Sequence, residues 1–132
     1  MDETLGPDRA ARISSLHHAA GLGMRYTNHT DSPVVPPDMM HLVWTAVNRE
    51  SRSGRVLGPS ERATPYEALK AITDHAAYQY FEEDGKGTLE AGKLADLVIL
   101  DANPLKVRPA AIRDIRVLET IKDGRSVWKR GG

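Results

Sequence analysis

The chain has 132 residues, 40% of them hydrophobic and 27% charged, which fits one ordinary globular domain and argues against a disordered segment. Eighteen basic and eighteen acidic residues cancel, so we expect no nucleic-acid partner, and the absence of cysteine excludes disulfides and thiolate metal sites. No apolar run approaches the roughly 20 residues of a membrane span, and the acidic N-terminus lacks the apolar core of a signal peptide; we therefore expect no membrane partner and a cytoplasmic location.

The chain begins with a predicted helix and a predicted strand. Helical spacing of apolar residues predicts a helix over residues 8–20, ended by Gly21. Residues 24–31 are predicted to form a short strand that is unusually polar for a buried one. Because side chains alternate along a strand, His29 and Asp31 are expected to share one face.

Two further predicted helices follow a proline-rich loop over residues 32–37. The first covers about 38–50 and carries an apolar stripe, and a polar loop separates it from the second. The second begins with the capping box Thr64-Pro65-Tyr66-Glu67, which has proline at the first helical position, and it is expected to end near residues 81–83.

The pattern changes to β-structure after a turn at residues 84–87. A strand is predicted over 95–101, and one helical turn over 109–114. Two strands over 116–122 and 125–129 then flank Asp123-Gly124, a dipeptide typical of a type I′ hairpin turn.

Asp31 is the main candidate for chemistry. It ends a predicted strand before a proline-rich loop, the position at which barrel enzymes carry catalytic groups. The same Asp-Ser-Pro context also suits an aspartate that merely caps a turn. His29 either contacts a metal ligand or the substrate beside Asp31, or makes an ordinary hydrogen bond at the strand end.

The other notable side chains are interpreted as structural. His17 and His18 are about 100° apart on a helix, cannot easily bind one ion, and are expected at the surface. Trp44 is expected to anchor the core. Four arginines after Trp44 are expected to pack against the protein or to lie on a substrate-facing loop, and not to bind phosphate: Arg49, Arg52, Arg55 and Arg62.

Three features, in this order, resemble the C-terminal third of the amidohydrolase superfamily. They are the predicted strand followed by Asp31-Ser32-Pro33, the helix with Trp44–Arg49, and the run Gly87–Asp101 (GTLEAGKLADLVILD). Within that superfamily the chain resembles specifically the YtcJ-like metal-dependent hydrolases of the amidohydrolase 3 type. The resemblance covers about residues 5–129.

The resemblance implies an α/β fold that is a fragment of a (β/α)8 metal-dependent hydrolase barrel with part of a β-sandwich. Residues 1–83 would be the C-terminal end of the barrel domain, containing its last strand and closing helices. Residues 84–132 would be the C-terminal segment of the composite sandwich.

The resemblance also implies hydrolysis of carbon–nitrogen bonds in small, amide-like, non-peptide substrates, with zinc or another divalent metal. The aspartate that ends the eighth barrel strand in this family corresponds to Asp31, which would bind the metal and accept a proton from the attacking water. A divalent ion lowers the pKa of bound water to about 7, which makes this proton transfer feasible.

The family's His-x-His pair and mid-barrel ligands are not in this sequence, and a full barrel needs about 250 residues. We therefore expect a C-terminal fragment that lacks an N-terminal portion, holds no metal stably and is inactive alone. The alternative is a non-catalytic, self-associating or interaction module derived from such a hydrolase. A homo-oligomer is expected, because a fragment of a barrel exposes apolar faces and a strand edge.

Overall fold

The computed structural model describes residues 2–132 and shows an α/β chain in which helices precede a three-stranded antiparallel sheet. The α-helices are α1 (Asp2–Leu5), α2 (Pro7–Ala11), α3 (Leu16–Gly21), α4 (Met39–Asn48), α5 (Pro65–Ile72) and α6 (Asp74–Gln79). The strands are β1 (Leu97–Leu100), β2 (Val117–Lys122) and β3 (Arg125–Lys129), and short 3-10 helices lie at Pro59–Glu61 and Pro109–Asp114.

The predicted helix over residues 8–20 is wrong in its middle, where a turn separates α2 from α3. Ser14 in that turn has φ of +50°, a left-handed conformation that interrupts a helix. The carbonyl groups of Ala11, Ile13 and Ser14 accept hydrogen bonds from the guanidinium group of Arg49. A side chain from a distant segment thus supplies the donors that a continuous helix would have supplied.

The predicted strand over residues 24–31 is also wrong, because residues 24–30 carry no regular structure. A strand requires a neighbouring strand for its hydrogen bonds, whereas this segment lies against α5 and α6. The amide of Asn28 donates to the carbonyl of Ala71, and Thr27 Oγ1 donates to Gln79 Oε1 at 2.7 Å.

Helix α4 and its surroundings form the hydrophobic core. The predicted helix over 38–50 is confirmed as α4, with Asp38 capping it by accepting a hydrogen bond from the amide of His41. Trp44 is buried as expected. The 3-10 helix of residues 109–114 packs on α4, and the core cluster joins these elements to the start of α5: Met40, Val43, Trp44, Ala46, Val47, Ala63, Ala68, Ile112 and Ile115.

The third predicted helix begins as expected and breaks before its predicted end. The capping box is confirmed, because Thr64 and Glu67 each accept a hydrogen bond from the other's main-chain amide. The helix is interrupted at Thr73, whose hydroxyl donates to the carbonyl of Leu69 and whose φ and ψ are −128° and −90°. Helix α6 then ends at Gln79.

We predict that Thr64→Ala lowers the free energy of unfolding by about 1 kcal/mol, because it removes the acceptor for the amide of Glu67. Urea denaturation measures this difference. Thr45→Ala is the matched control, since Thr45 is an exposed threonine inside α4 and its replacement should cost little or nothing. Equal losses in the two variants would contradict the capping role.

The capping box also predicts a pH dependence. The main-chain hydrogen bond from Thr64 lowers the pKa of Glu67 below its ordinary value of 4.5, with burial opposing and the Thr64 hydroxyl assisting. A carboxylate whose pKa is lower in the folded state than in the unfolded state stabilises the fold at pH values above its unfolded-state pKa. This contribution disappears as the pH falls through the folded-state pKa. The difference in the free energy of unfolding between wild type and Glu67→Gln should therefore shrink as the pH falls below 4.5.

The C-terminal part follows the predicted pattern. The predicted strand over 95–101 appears as the shorter β1, the helical turn at 109–114 is a 3-10 helix, and β2 and β3 form the predicted hairpin. Asp123 and Gly124 both have positive φ, at 49° and 73°, as a type I′ turn requires. The sheet order is β1-β2-β3. The division into domains at residues 83 and 84 stays a prediction.

Candidate functional site

Asp31 opens the turn that follows the irregular segment of residues 24–30. Its φ of +52° is left-handed, which aspartate tolerates better than most residues. Its carbonyl accepts a hydrogen bond from the amide of Val34 at 2.8 Å. The side chain is exposed, and within residues 2–132 its carboxylate makes no hydrogen bond or ion pair. This carboxylate is therefore available to a water molecule, a substrate or a cation.

His29 contacts Asp31 through the main chain and not through the carboxylate. Its Nδ1 accepts a hydrogen bond from the amide of Asp31 at 3.1 Å. A neutral imidazole that accepts at Nδ1 carries its proton on Nε2, so His29 in this arrangement offers a donor and no free lone pair. The strand face that His29 and Asp31 were predicted to share is absent, because residues 24–30 form no strand. The two residues meet instead through the amide of Asp31, and the histidine supports the turn that presents the carboxylate.

A groove of about 810 Å³ lies beside this turn, and we call it the α4 groove. It runs between the turn joining α2 to α3, the segment of residues 28–30, helix α4 and the loop that follows α4. His29 and Thr30 line it. Its apolar residues include Ile13, Leu16, Val35, Leu42, Trp44 and Leu57. The groove thus brings an apolar surface next to the only predicted catalytic position.

Arg49 is a residue whose importance the sequence analysis missed. It is buried, with 9% of its surface exposed, and burial lowers its pKa while Glu61 opposes that change. Its side chain packs within the protein, where it donates hydrogen bonds to main-chain carbonyl groups. Nothing in the local sequence separates Arg49 from the nearby Arg52, so only its distant partners distinguish it.

The other four histidines lie at the surface or contact other groups, and His41 also lines the α4 groove. His17 and His18 are exposed, as expected. His41 stacks on Trp44 with ring centroids 5.5 Å apart. His75 is buried, with Nδ1 3.0 Å from the carbonyl oxygen of Tyr26. Neither the stacking of His41 nor the hydrogen bond of His75 involves Asp31.

The residues described here do not fit a complete metal site of the kind the family resemblance implies. Zinc sites usually use at least three protein ligands. Among residues 4–132, whose side chains the structure describes, no three histidine, aspartate or glutamate side chains come together in a way that could hold a metal ion. His29 uses the lone pair of Nδ1 for the amide of Asp31. The described residues therefore offer one carboxylate, that of Asp31, as a ligand at this position.

The run from Gly87 to Asp101 that carries the resemblance has a structural role. Lys93 Nζ donates to the carbonyl of Glu83 at 2.7 Å and to Thr88 Oγ1 at 2.6 Å, which closes the turn before β1. Asp96 and Asp101 accept main-chain hydrogen bonds from the amides of Asp123 and Arg116. These bonds lower the pKa of each carboxyl group. The motif thus closes the turn after α6 through Lys93 and joins the ends of β1 to the neighbouring β2–β3 hairpin through the two aspartates.

No helix within residues 2–132 combines the length and the apolar character that crossing a bilayer would need.

Comparison with known proteins places these features in context. The sequence profile of the amidohydrolase family matches residues 1–128. The chain is 34% identical over 110 residues to the N-substituted formamide deformylase of Arthrobacter pascens, covering 83% of this chain and 20% of that protein. It is 26% identical over 131 residues to the putative amidohydrolase YtcJ of Bacillus subtilis, covering 97% of this chain and 25% of that protein.

A crystal structure of an amidohydrolase from Thermotoga maritima superposes with a TM-score of 0.67 at 23% identity, over 89% of this chain and 26% of that one. This likeness concerns the fold alone. The chain spans about a fifth to a quarter of the length of these relatives.

Proposed function

The chain belongs to the amidohydrolase family, whose profile covers residues 1–128, and on that basis we propose that it supplies the C-terminal part of a metal-dependent hydrolase acting on carbon–nitrogen bonds. The substrate class is a small amide, as the name of the deformylase from Arthrobacter pascens suggests for that relative. In this proposal residues 1–83 belong to the barrel domain and residues 84–132 to the sandwich domain. The protein works in the cytoplasm.

Asp31 is the catalytic residue in this proposal. The observation that supports it is an exposed carboxylate that opens a turn and has no protein partner within the part of the chain described. A carboxylate within hydrogen-bond reach of a water molecule accepts its proton as the water oxygen attacks the amide carbon. The family's zinc or other divalent ion would take Asp31 as one ligand, and its remaining ligands would come from polypeptide outside residues 2–132.

The experiment that tests this function supplies the rest of the enzyme. The chain would be mixed with a version of the Arthrobacter pascens deformylase from which the matched segment has been removed, and release of amine from an N-substituted formamide would be followed. We expect no turnover from either polypeptide alone and metal-dependent turnover from the mixture. Metal-independent turnover, or none under any condition, would count against the proposal.

A second candidate function, a non-catalytic self-associating module, is favoured by the exposed sheet. Val127 and Trp128 on β3 are 60% and 47% exposed, and β1 and β3 form sheet edges that pair with no further strand among the described residues. Such edges can pair with a second copy of the chain. Sedimentation velocity at several concentrations tests this function: concentration-dependent association supports it, and a monomer throughout the series contradicts it.

A further inference from the structure

Arg49 holds several main-chain carbonyl groups at once. Its Nε donates to Leu57 O at 2.6 Å, and its Nη1 donates to Ser14 O at 2.7 Å. Its Nη2 donates to Ala11 O and Ile13 O. It forms no salt bridge with any acidic side chain in the described part of the chain. The carbonyl dipoles therefore compensate the burial of its charge.

These hydrogen bonds join three segments: the end of α4, the loop at Leu57 eight positions later, and a turn that is at least 35 positions away in the sequence. The guanidinium group connects the end of α4 to the turn between α2 and α3 and to the loop at Leu57. The amide of Leu57 in turn donates to Arg49 O at 2.9 Å. Gly58 lies so close to Ala11 O that a Cβ atom there would overlap it, so the loop and the turn are in direct contact. We call these joined segments the Arg49 clamp.

The Arg49 clamp forms one side of the α4 groove. Ser14, Arg49 and Leu57 line the groove, as do His29 and Thr30 next to Asp31. A shift of the turn or of the loop would therefore change the space beside Asp31. Four carbonyl groups in different directions accept hydrogen bonds from this side chain. A positive charge alone does not direct donors toward all of them, so the forked guanidinium group of arginine is needed.

We propose that Arg49 is a positioning residue that fixes the turn between α2 and α3 and the Leu57 loop, and thereby the width of the groove beside Asp31. The consequence for catalysis rests on the proposed hydrolase function. The clamp itself does not, because it consists of contacts within this chain.

Native-state hydrogen exchange followed by NMR tests the clamp without any activity assay. In Arg49→Lys and Arg49→Met, the amides of Ile13, Leu16 and Leu57 should exchange about ten- to a hundredfold faster, because the carbonyl groups that hold the turn and the loop in place lose their donors. Amides in the β2–β3 ladder should keep their wild-type rates. Arg52→Lys and Arg52→Met are the matched controls, since Arg52 lines the same groove and is exposed.

A lysine at position 49 that preserves wild-type exchange at the three amides would overturn the proposal. Equal acceleration of all amides, including those of β2, would also overturn it, because that pattern reports general destabilisation. If Arg49→Met does not fold, Gly58→Ala provides a second route, since the added methyl group should separate the loop from Ala11 and accelerate the same amides. This result stands apart from the amide hydrolysis assay, so failure of the clamp and failure of the proposed function are distinguishable.

Discussion

Asp31→Asn is expected to lower kcat of the reconstituted hydrolase by about two to four orders of magnitude, the usual contribution of a general base. Asparagine has nearly the same shape and also tolerates the left-handed φ of +52° at this position, but it cannot accept a proton from water. The rate of amine release by the mixture of the two polypeptides measures the effect. The stability of the chain should change by little, because the carboxylate has no partner within residues 2–132.

Asp38→Asn is the matched control for this prediction. It removes the same charge seven positions later, and asparagine caps a helix as well as aspartate does. The control should retain activity within a few-fold of wild type. If Asp31→Asn also retained full activity, Asp31 would not be the catalytic residue.

Ile112→Ala is expected to lower the free energy of unfolding by about 2–5 kcal/mol. Ile112 has no exposed surface, and it packs in the cluster that joins the 3-10 helix of residues 109–114 to α4. Its truncation removes apolar burial and leaves a cavity between the two elements. A loss of this size is a large part of the 5–15 kcal/mol typical of a whole domain, and chemical denaturation measures it.

Ile99→Ala is the control, because it makes the same substitution at a side chain that is 45% exposed on β1. It should cost distinctly less than Ile112→Ala. Similar losses at the two positions would show that residues 109–114 and α4 do not form the main core.

The sequence predicted best the features that depend on neighbouring residues. The capping box at Thr64 and Glu67 and the Asp123-Gly124 turn are set by local hydrogen bonds and local backbone conformation, and both are confirmed. The apolar stripe of α4 likewise marks the face that the core covers.

The sequence failed where distant segments decide the structure. The break between α2 and α3 depends on Arg49, which is 35 positions from Ser14, and no local pattern announces that contact. Residues 24–30 were predicted to form a strand despite their polar composition, yet they bond to α5 and α6. The interruption at Thr73 depends on a hydroxyl that bonds back to Leu69, a choice that helical spacing does not reveal.

The candidate site shows the same division. The strand that was predicted to end at Asp31 and to align it with His29 is absent, although Asp31 does begin a turn and His29 does contact its amide. The orientation of His29, which gives Nδ1 to an amide, required the turn geometry itself. The α4 groove and its Arg49 clamp were invisible in the sequence, because segments near residues 13, 29, 49 and 57 build them together.

The central claim is that this chain contributes a hydrolytic aspartate without assembling a metal site of its own. Titration of the purified chain with Zn²⁺ in a calorimeter tests it most directly, with Asp31→Asn and His29→Ala measured in parallel. We predict no saturable binding at a one-to-one ratio, and the same weak heats for all three proteins. Tight stoichiometric binding by the wild-type chain that disappears in Asp31→Asn would contradict the account.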